Sequence, residues 1–161
     1  MPHAIAPPTV SAPKSPKSRR KTVLVVEPDS AVRERIIRII KEAAASERDQ
    51  VSIHEAESGS AAWALVEVVK PDLVVAEILL EGLSGLQLLR RLLGRYPDDP
   101  PKMFFVTQMS NEVDRYWALR TGASAFVVKP FDDELLQTRA VKFFEAGEGR
   151  LELDSNWPVE G

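Results

Sequence analysis

Four apolar runs too short to be buried helices each close on a residue with a polar or charged head. They are Val23 to Val26 before Glu27, Leu73 to Ala76 before Glu77, Phe104 to Val106 before Thr107, and Phe126 to Val128 before Lys129. Runs of this length, rich in β-branched and aromatic residues, read as strands buried on both faces. Helix-length amphipathic stretches separate them, and a further short strand is expected at Val51 and Ile53. This alternation predicts an α/β fold, a five-stranded parallel sheet with helices on both faces, doubly wound. In such open sheets the ligand crevice lies outside the carboxyl ends of the strands. Glu27, Asp29, Glu77, Thr107 and Lys129 are therefore expected to meet in one crevice.

The intervening helices carry their own punctuation. Asp29 or Ser30 can cap a first helix whose apolar stripe is Val32, Ile36, Ile39, Ile40 and Ala43, with Arg33, Glu34 and Arg38 outside. Ser58 caps a second, which runs through Trp63, Leu65, Val66 and Val69 and ends before Pro71. The loop Leu79-Leu80-Glu81-Gly82 opens a third through Leu86, Leu89, Leu92 and Leu93, stopping near Gly94 and Pro97. Ser110 is the expected cap of a fourth, with Glu112 and Asp114 in the first turn, where carboxylates favour the helix dipole, and Gly122 at its end. The last begins after Lys129-Pro130, with Asp132, Asp133 and Glu134 at its start and Leu135, Leu136, Val141 and Phe144 as apolar positions.

A chain of 161 residues, 44% hydrophobic and 28% charged, can fill one ordinary core and is short for two. With no cysteine it has neither disulfides nor thiolate metal sites, which suits a cytoplasmic location. No apolar run approaches the roughly 20 residues of a membrane span, and no signal-peptide core opens the chain. His3 and His54, the latter at the end of a strand, have no partner set for zinc or a triad. Residues 1–21 hold five prolines and five basic side chains and no acid, a composition that cannot bury enough apolar surface to order itself. They read as a disordered basic tail. The remainder carries 16 basic and 24 acidic side chains, a net of −8. A basic arm on an acidic body can serve an acidic partner, a lipid surface or nucleic acid, but is more often a solubilising tether, and nucleic acid is not the expected partner. Residues 147–161, acidic with Trp157 beside Pro158, read as a flexible tail or a short docking motif.

The segments VLVVEPDS, PDLVVAEILLEGLSGLQLL, FFVTQMS and GASAFVVKPF resemble, in order and approximate spacing, the receiver domain of bacterial two-component response regulators. The likeness covers residues 22–146 and implies a flavodoxin-like fold. In that family an aspartate closing the third strand is phosphorylated and an acidic pair after the first strand binds magnesium. A Thr or Ser and a Lys contact the phosphoryl group, and an aromatic on the fifth strand reports the change. By this resemblance Thr107 and Lys129 are the phosphoryl contacts and Phe126 the switch aromatic. A cis bond before Pro130 is implied, and output passes through the fourth helix, fifth strand and fifth helix. There Arg115 and Trp117 are candidate partner contacts, since Trp and Arg dominate binding hot spots.

Two positions depart from the family pattern. Glu77 stands where the family has its phosphoacceptor aspartate, and the second member of the acidic pair falls on Pro28, leaving Glu27 in place and Asp29 one residue late. Magnesium wants near-octahedral oxygen ligation. Proline offers no side-chain oxygen, and Pro28 fixes its own φ and restricts Glu27, so tight magnesium binding is not expected and no cofactor is assigned. Phosphoryl transfer depends on in-line placement of the nucleophile and on charge neutralisation, and glutamate is one methylene too long. The longer carboxylate can instead accept charge-assisted hydrogen bonds from Thr107 and Lys129, holding a permanent signalling conformation. The plainer alternative is a structural ion pair with Lys129. The expectation is a degenerate, stand-alone, non-enzymatic receiver that binds protein partners, a second copy of the chain included, independently of phosphorylation. The alternative is a phosphotransfer receiver in which Glu77 itself is phosphorylated.

Overall fold

The computed structural model describes residues 20–45 and 51–146. The expected tails, up to residue 19 and from residue 147, lie outside the described residues. The elements alternate strictly: β1 (Lys21–Val26), α1 (Ser30–Ala45), β2 (Val51–Ala56), α2 (Gly59–Val69), β3 (Leu73–Ala76), α3 (Gly85–Arg95), β4 (Lys102–Thr107), α4 (Glu112–Thr121), β5 (Ala125–Val128) and α5 (Asp133–Glu145). The five strands form one parallel sheet in the order β2-β1-β3-β4-β5.

The period-two pleat sends alternate residues of each strand to opposite faces, and both faces are apolar. Val23, Val25, Val75, Phe104 and Val127 pack under α1 and α5, against Ile36, Ile40, Leu136 and Phe144. Leu24, Val26, Val74, Phe105 and Phe126 pack under α2, α3 and α4, against Val66, Leu88, Leu92 and Ala118. Two buried layers on a single sheet explain why the strands read as unbroken apolar runs.

The helix boundaries follow local chemistry. Ser58 Oγ accepts from the Ala61 amide at the start of α2, and Ser84 with Gln87 closes a reciprocal capping box on α3. Gly122 takes φ +137° after α4, where its amide donates to the carbonyls of Ala118 and Leu119.

Several expectations need correction. β1 begins at Lys21, which the sequence assigns to the tail; its side chain is buried, and among the described residues its Nζ has no hydrogen-bond partner. β2 runs on to Ala56 because all six of its residues register against β1, so His54 lies inside the strand. Asn111, not Ser110, caps α4, its side-chain oxygen accepting from the amides of Val113 and Asp114. Arg33 folds in against the β1 and β2 ends, only 11% exposed, where its helical phase suggested solvent. Leu135 is exposed, since Leu136 and Ala140 already supply the buried stripe of α5.

Candidate functional site

Parallel pairing continues for one residue past several strands and lines up their terminal side chains. The Glu27 amide donates to Ala56 O (3.0 Å), that of Glu77 to Val26 O (3.0 Å) and that of Lys129 to Thr107 O (2.8 Å). Glu27, Glu77, Thr107 and Lys129 thus converge at the carboxyl edge. Glu27, Glu77 and Lys129 border a cleft of about 590 Å³, whose walls include Pro28, Asp29, Arg35, Leu79, Gln108 and Phe131, while Thr107 is buried. The Lys129–Pro130 bond is cis.

Both carboxylate oxygens of Glu77 are used. Its Oε2 accepts from the amides of Ile78 (2.7 Å) and Leu79 (3.1 Å) and from the Thr107 hydroxyl. Its Oε1 accepts from Lys129 Nζ (2.9 Å) and more weakly from the Gln108 amide (3.4 Å). Lys129 Nζ also donates to Glu27 Oε1 at 2.9 Å, so one ammonium bridges two carboxylates. Glu27 and Glu77 are each 2% exposed and Thr107 is fully buried. Buried charges of this kind persist only when paired and hydrogen-bonded.

The titration behaviour follows from the same contacts. Burial pushes the Glu77 carboxyl up, but hydrogen bonds from Thr107, Lys129 and the Leu79 amide, with the charge of Lys129, outweigh it and hold the group below the usual carboxylate value. Burial likewise pushes Lys129 down, and its hydrogen bonds and charge interactions with Glu27 and Glu77 raise it above the usual lysine value. Both directions stabilise the charged pair.

Asp29 reaches the cleft wall, but its carboxylate is committed elsewhere. Oδ1 accepts from the Val32 amide at 3.0 Å, which makes Asp29 the cap of α1, while its own amide donates to Glu27 Oε2 at 3.0 Å. The donor set does not match what magnesium takes in this fold. Pro28 has no side-chain oxygen, Asp29 is spent on the helix, and the Lys129 ammonium already lies between the remaining carboxylates. Among the described residues no group of three or more His, Asp or Glu side chains stands close enough to hold a metal ion.

Two arginines of α1 support the site without having been singled out in the sequence. Arg33 donates to the Glu27 carbonyl (2.6 Å) and to Glu55 (2.9 Å), tying the ends of β1 and β2. Arg35 donates to the Phe131 carbonyl (2.6 Å), pairs with Asp133 (2.6 Å) and lies 4.1 Å over the Phe131 ring, clasping the turn after Lys129. The Arg35 hydrogen bond, ahead of the charges of Arg35 and Arg38, holds the Asp133 carboxyl below its usual value. Helical phase alone places such arginines outside the core and cannot show which turn they reach.

Phe126 is buried and meets the Phe105 ring edge-on at 6.3 Å. Trp117 is exposed and stands edge-on to Tyr116 at 5.3 Å. Arg115 is half-buried and lies off the solvent ridge, which runs through Val113, Tyr116, Trp117 and Arg120 at helical spacing. Val113 and Tyr116, 60% and 50% exposed, are additional surface apolar residues that the i, i+3, i+4 pattern opposite Ala118 could have revealed.

Residues 23–141 match the family pattern of the response regulator receiver domain. The chain is 35% identical to protein PilH of Pseudomonas aeruginosa over 82 residues, 51% of this chain and 68% of that protein. It is 30% identical to the phosphate regulon transcriptional regulatory protein PhoB of the same organism over 141 residues, 87% of this chain and 57% of that one. It spans about half the length of several other transcriptional regulators that it matches. The fold is shared with a CheY-like receiver domain protein from Methanospirillum hungatei at a TM-score of 0.68 and 21% identity, over 81% of this chain and 98% of that one. A putative response regulator from Chloroflexus aurantiacus gives 0.67 at 23% identity, over 80% and 99%. With the family pattern covering most of its length and the sheet order and cleft in place, the chain belongs to the response regulator receiver domain family.

Proposed function

We propose that this receiver works as a phosphorylation-independent protein-interaction module, with the Glu77 carboxylate standing permanently where other receivers place a phosphoryl group. The observation that carries this reading is the donor set on Glu77. The Thr107 hydroxyl and the Lys129 ammonium, the two side chains that hold a phosphoryl group in this family, both donate to its carboxylate. The charge a receiver acquires on phosphorylation is supplied by the sequence, and Lys129 neutralises it without a divalent ion. Magnesium is dispensable on this reading.

Thr107 closes β4 beside β5, and Phe126 is packed inward between Phe105 and the α4 layer. Anchoring Thr107 to a fixed carboxylate holds that arrangement, and α4, β5 and α5 then present a constant surface. Val113, Tyr116 and Trp117 on α4 give that surface an apolar, aromatic ridge of the kind that anchors protein partners. Among the described residues no helix is long and apolar enough to cross a membrane.

Backbone amide spectra of the full chain, its Glu77→Ala variant and its Glu77→Asp variant test this reading. Displacement of α4, β5 and α5 resonances in both variants, away from a common wild-type position, is the expected outcome. Changes confined to residues touching position 77 would reduce Glu77 to a structural ion pair. Intact mass after incubation with magnesium and acetyl phosphate should show no added phosphoryl group. One addition to the wild type, absent from Glu77→Gln, would restore a phosphorylation switch.

A further inference from the structure

The charge of α3 stands apart from the rest of the domain. Residues 22–146 carry 20 acidic and 15 basic side chains, yet α3 holds three arginines, Arg90, Arg91 and Arg95, and no carboxylate. All three are exposed, and among the described residues none forms an ion pair, whereas Arg33, Arg35 and Arg38 of α1 all do. Two are laid over aromatic rings instead. The Arg91 guanidinium sits 5.6 Å from the Trp63 ring of α2, and Arg95 and Lys70 lie 5.2 and 5.1 Å from the ring of Tyr96, whose hydroxyl donates to Val66 O. Lys70 too is exposed and outside any ion pair among the described residues. Among the described residues Glu67, Asp98 and Asp99, which lie close in sequence, form no ion pair with these cations.

Ring contacts hold the charged heads of Lys70, Arg91 and Arg95 in place while these side chains stay exposed, which lowers the ordering cost of receiving an anion. The result is a cationic strip with an aromatic floor along the α2–α3 groove. Its strongest end, Lys70 and Arg95, lies at the C-termini of α2 and α3, and so at the amino edge of the parallel sheet. α5 ends at the same edge, with Ala146.

We infer that the acidic segment 147–161 of this chain docks in cis on the cationic α2–α3 groove. That segment holds four carboxylates against a single arginine, with Leu151, Leu153 and Trp157 among them. Fifteen residues reach up to ~50 Å when extended, enough to pass from the α5 layer around the sheet edge to the α3 layer. Individual exposed ion pairs are weak, but a tether raises the effective concentration to the millimolar range, so several such pairs suffice. The overall acidity of the chain, with a pI near 5.5, disfavours nucleic acid as the occupant and favours a segment whose acidic side chains alternate with apolar ones.

Because the chain has no cysteine, a single Ser155→Cys variant of the full chain accepts one nitroxide label without background. Selective broadening of the amides of Trp63, Lys70, Arg91 and Arg95 is expected. It should be independent of protein concentration, weakened in 0.5 M salt, and abolished when Lys70→Glu, Arg91→Glu and Arg95→Glu are combined. Broadening centred on another surface, or none above that of free label, would overturn the proposal. So would broadening that appears only when labelled and isotope-enriched chains are mixed, which would assign the groove to a second copy. Spectra of the unlabelled triple variant show whether it is folded. Should it not be, Arg91→Gln with Arg95→Gln replaces it, with a fall of at least twofold in broadening as the supporting result and no change as the refuting one.

Discussion

The carboxyl edge of the sheet and the outer face of α3 use charge in opposite ways. At the edge, Glu27 and Glu77 are almost wholly withdrawn from water, Lys129 is largely covered, and each is paired; on α3, Arg90, Arg91 and Arg95 are exposed and outside any ion pair among the described residues. A buried charge is tolerated only within a complete partner set, so the edge is rigid and intolerant of truncation. An exposed charge costs nothing to keep and little to lose, so α3 is free to serve an external or tethered anion. On the function proposed above, the family position that elsewhere changes its charge has here become part of the frame.

Lys129→Ala gives the sharpest test of that contrast. It leaves two buried carboxylates without their shared cation and should cost about 3–5 kcal/mol in denaturant unfolding. Arg91→Ala should stay within about 0.5 kcal/mol in the same assay. Comparable losses in the two variants would erase the distinction between frame and surface.

Gly85→Ala comes next. A Cβ at this position would stand 2.6 Å from the Glu77 carbonyl, 2.8 Å from Ile78 Cα and 2.9 Å from the Phe105 ring. Backbone cannot yield as a flexible side chain can, so overpacking of about 1–3 kcal/mol is expected, with displaced amide resonances at Glu77 and Thr107. Gly94, with open space around its Cβ direction, is the matched control on the solvent side of α3, and Gly94→Ala should be neutral or slightly stabilising.

Acid and alkali probe the edge from both sides. Glu77 is held below its usual value of 4.5, so its contribution is complete above that value and is lost as pH falls through its lowered folded value. Lys129 is raised above 10.5, so its contribution is complete below that value and is lost as pH rises through its raised folded value. Chemical unfolding between pH 5 and pH 9 should therefore report little change from this pair. Glu77→Gln should remove the carboxylate's share of the acid-side loss.

Much of this architecture was legible in the sequence because its signals are redundant. Strands buried on both faces need unbroken apolar runs, and each run ended at the residue that the sheet edge presents, so Glu27, Glu77, Thr107 and Lys129 could be brought together from spacing alone. Asp29 could be placed near the cleft but not turned away from it, since a carboxylate after a strand serves equally as ligand or cap until the helix start is fixed. Ser110 and Asn111 posed the same ambiguity, both being good caps one residue apart. Arg33 and Arg35 were missed for a different reason. Their partners are a carbonyl at Glu27, another at Phe131 and side chains on β2 and α5, and contacts between segments so distant in sequence leave no local pattern.

Trp117→Ala carries the smallest expected effect on stability and the most specific one on behaviour. The indole is 55% exposed, its ring contact is with the adjacent and equally exposed Tyr116, and the buried face of α4 is supplied by Ala118 with Leu119 partly covered. Removing it should change unfolding free energy by no more than about 0.5 kcal/mol, the range for surface positions without a structural role. If the α4 ridge is where the fixed conformation is read, the same substitution should abolish whatever self-association the wild-type chain shows in sedimentation velocity, while sheet amide resonances stay in place. A marked drop in melting temperature would instead place Trp117 in the frame, on the side of Lys129 rather than of Arg91. The ridge would then have to be sought in Val113 and Tyr116 alone.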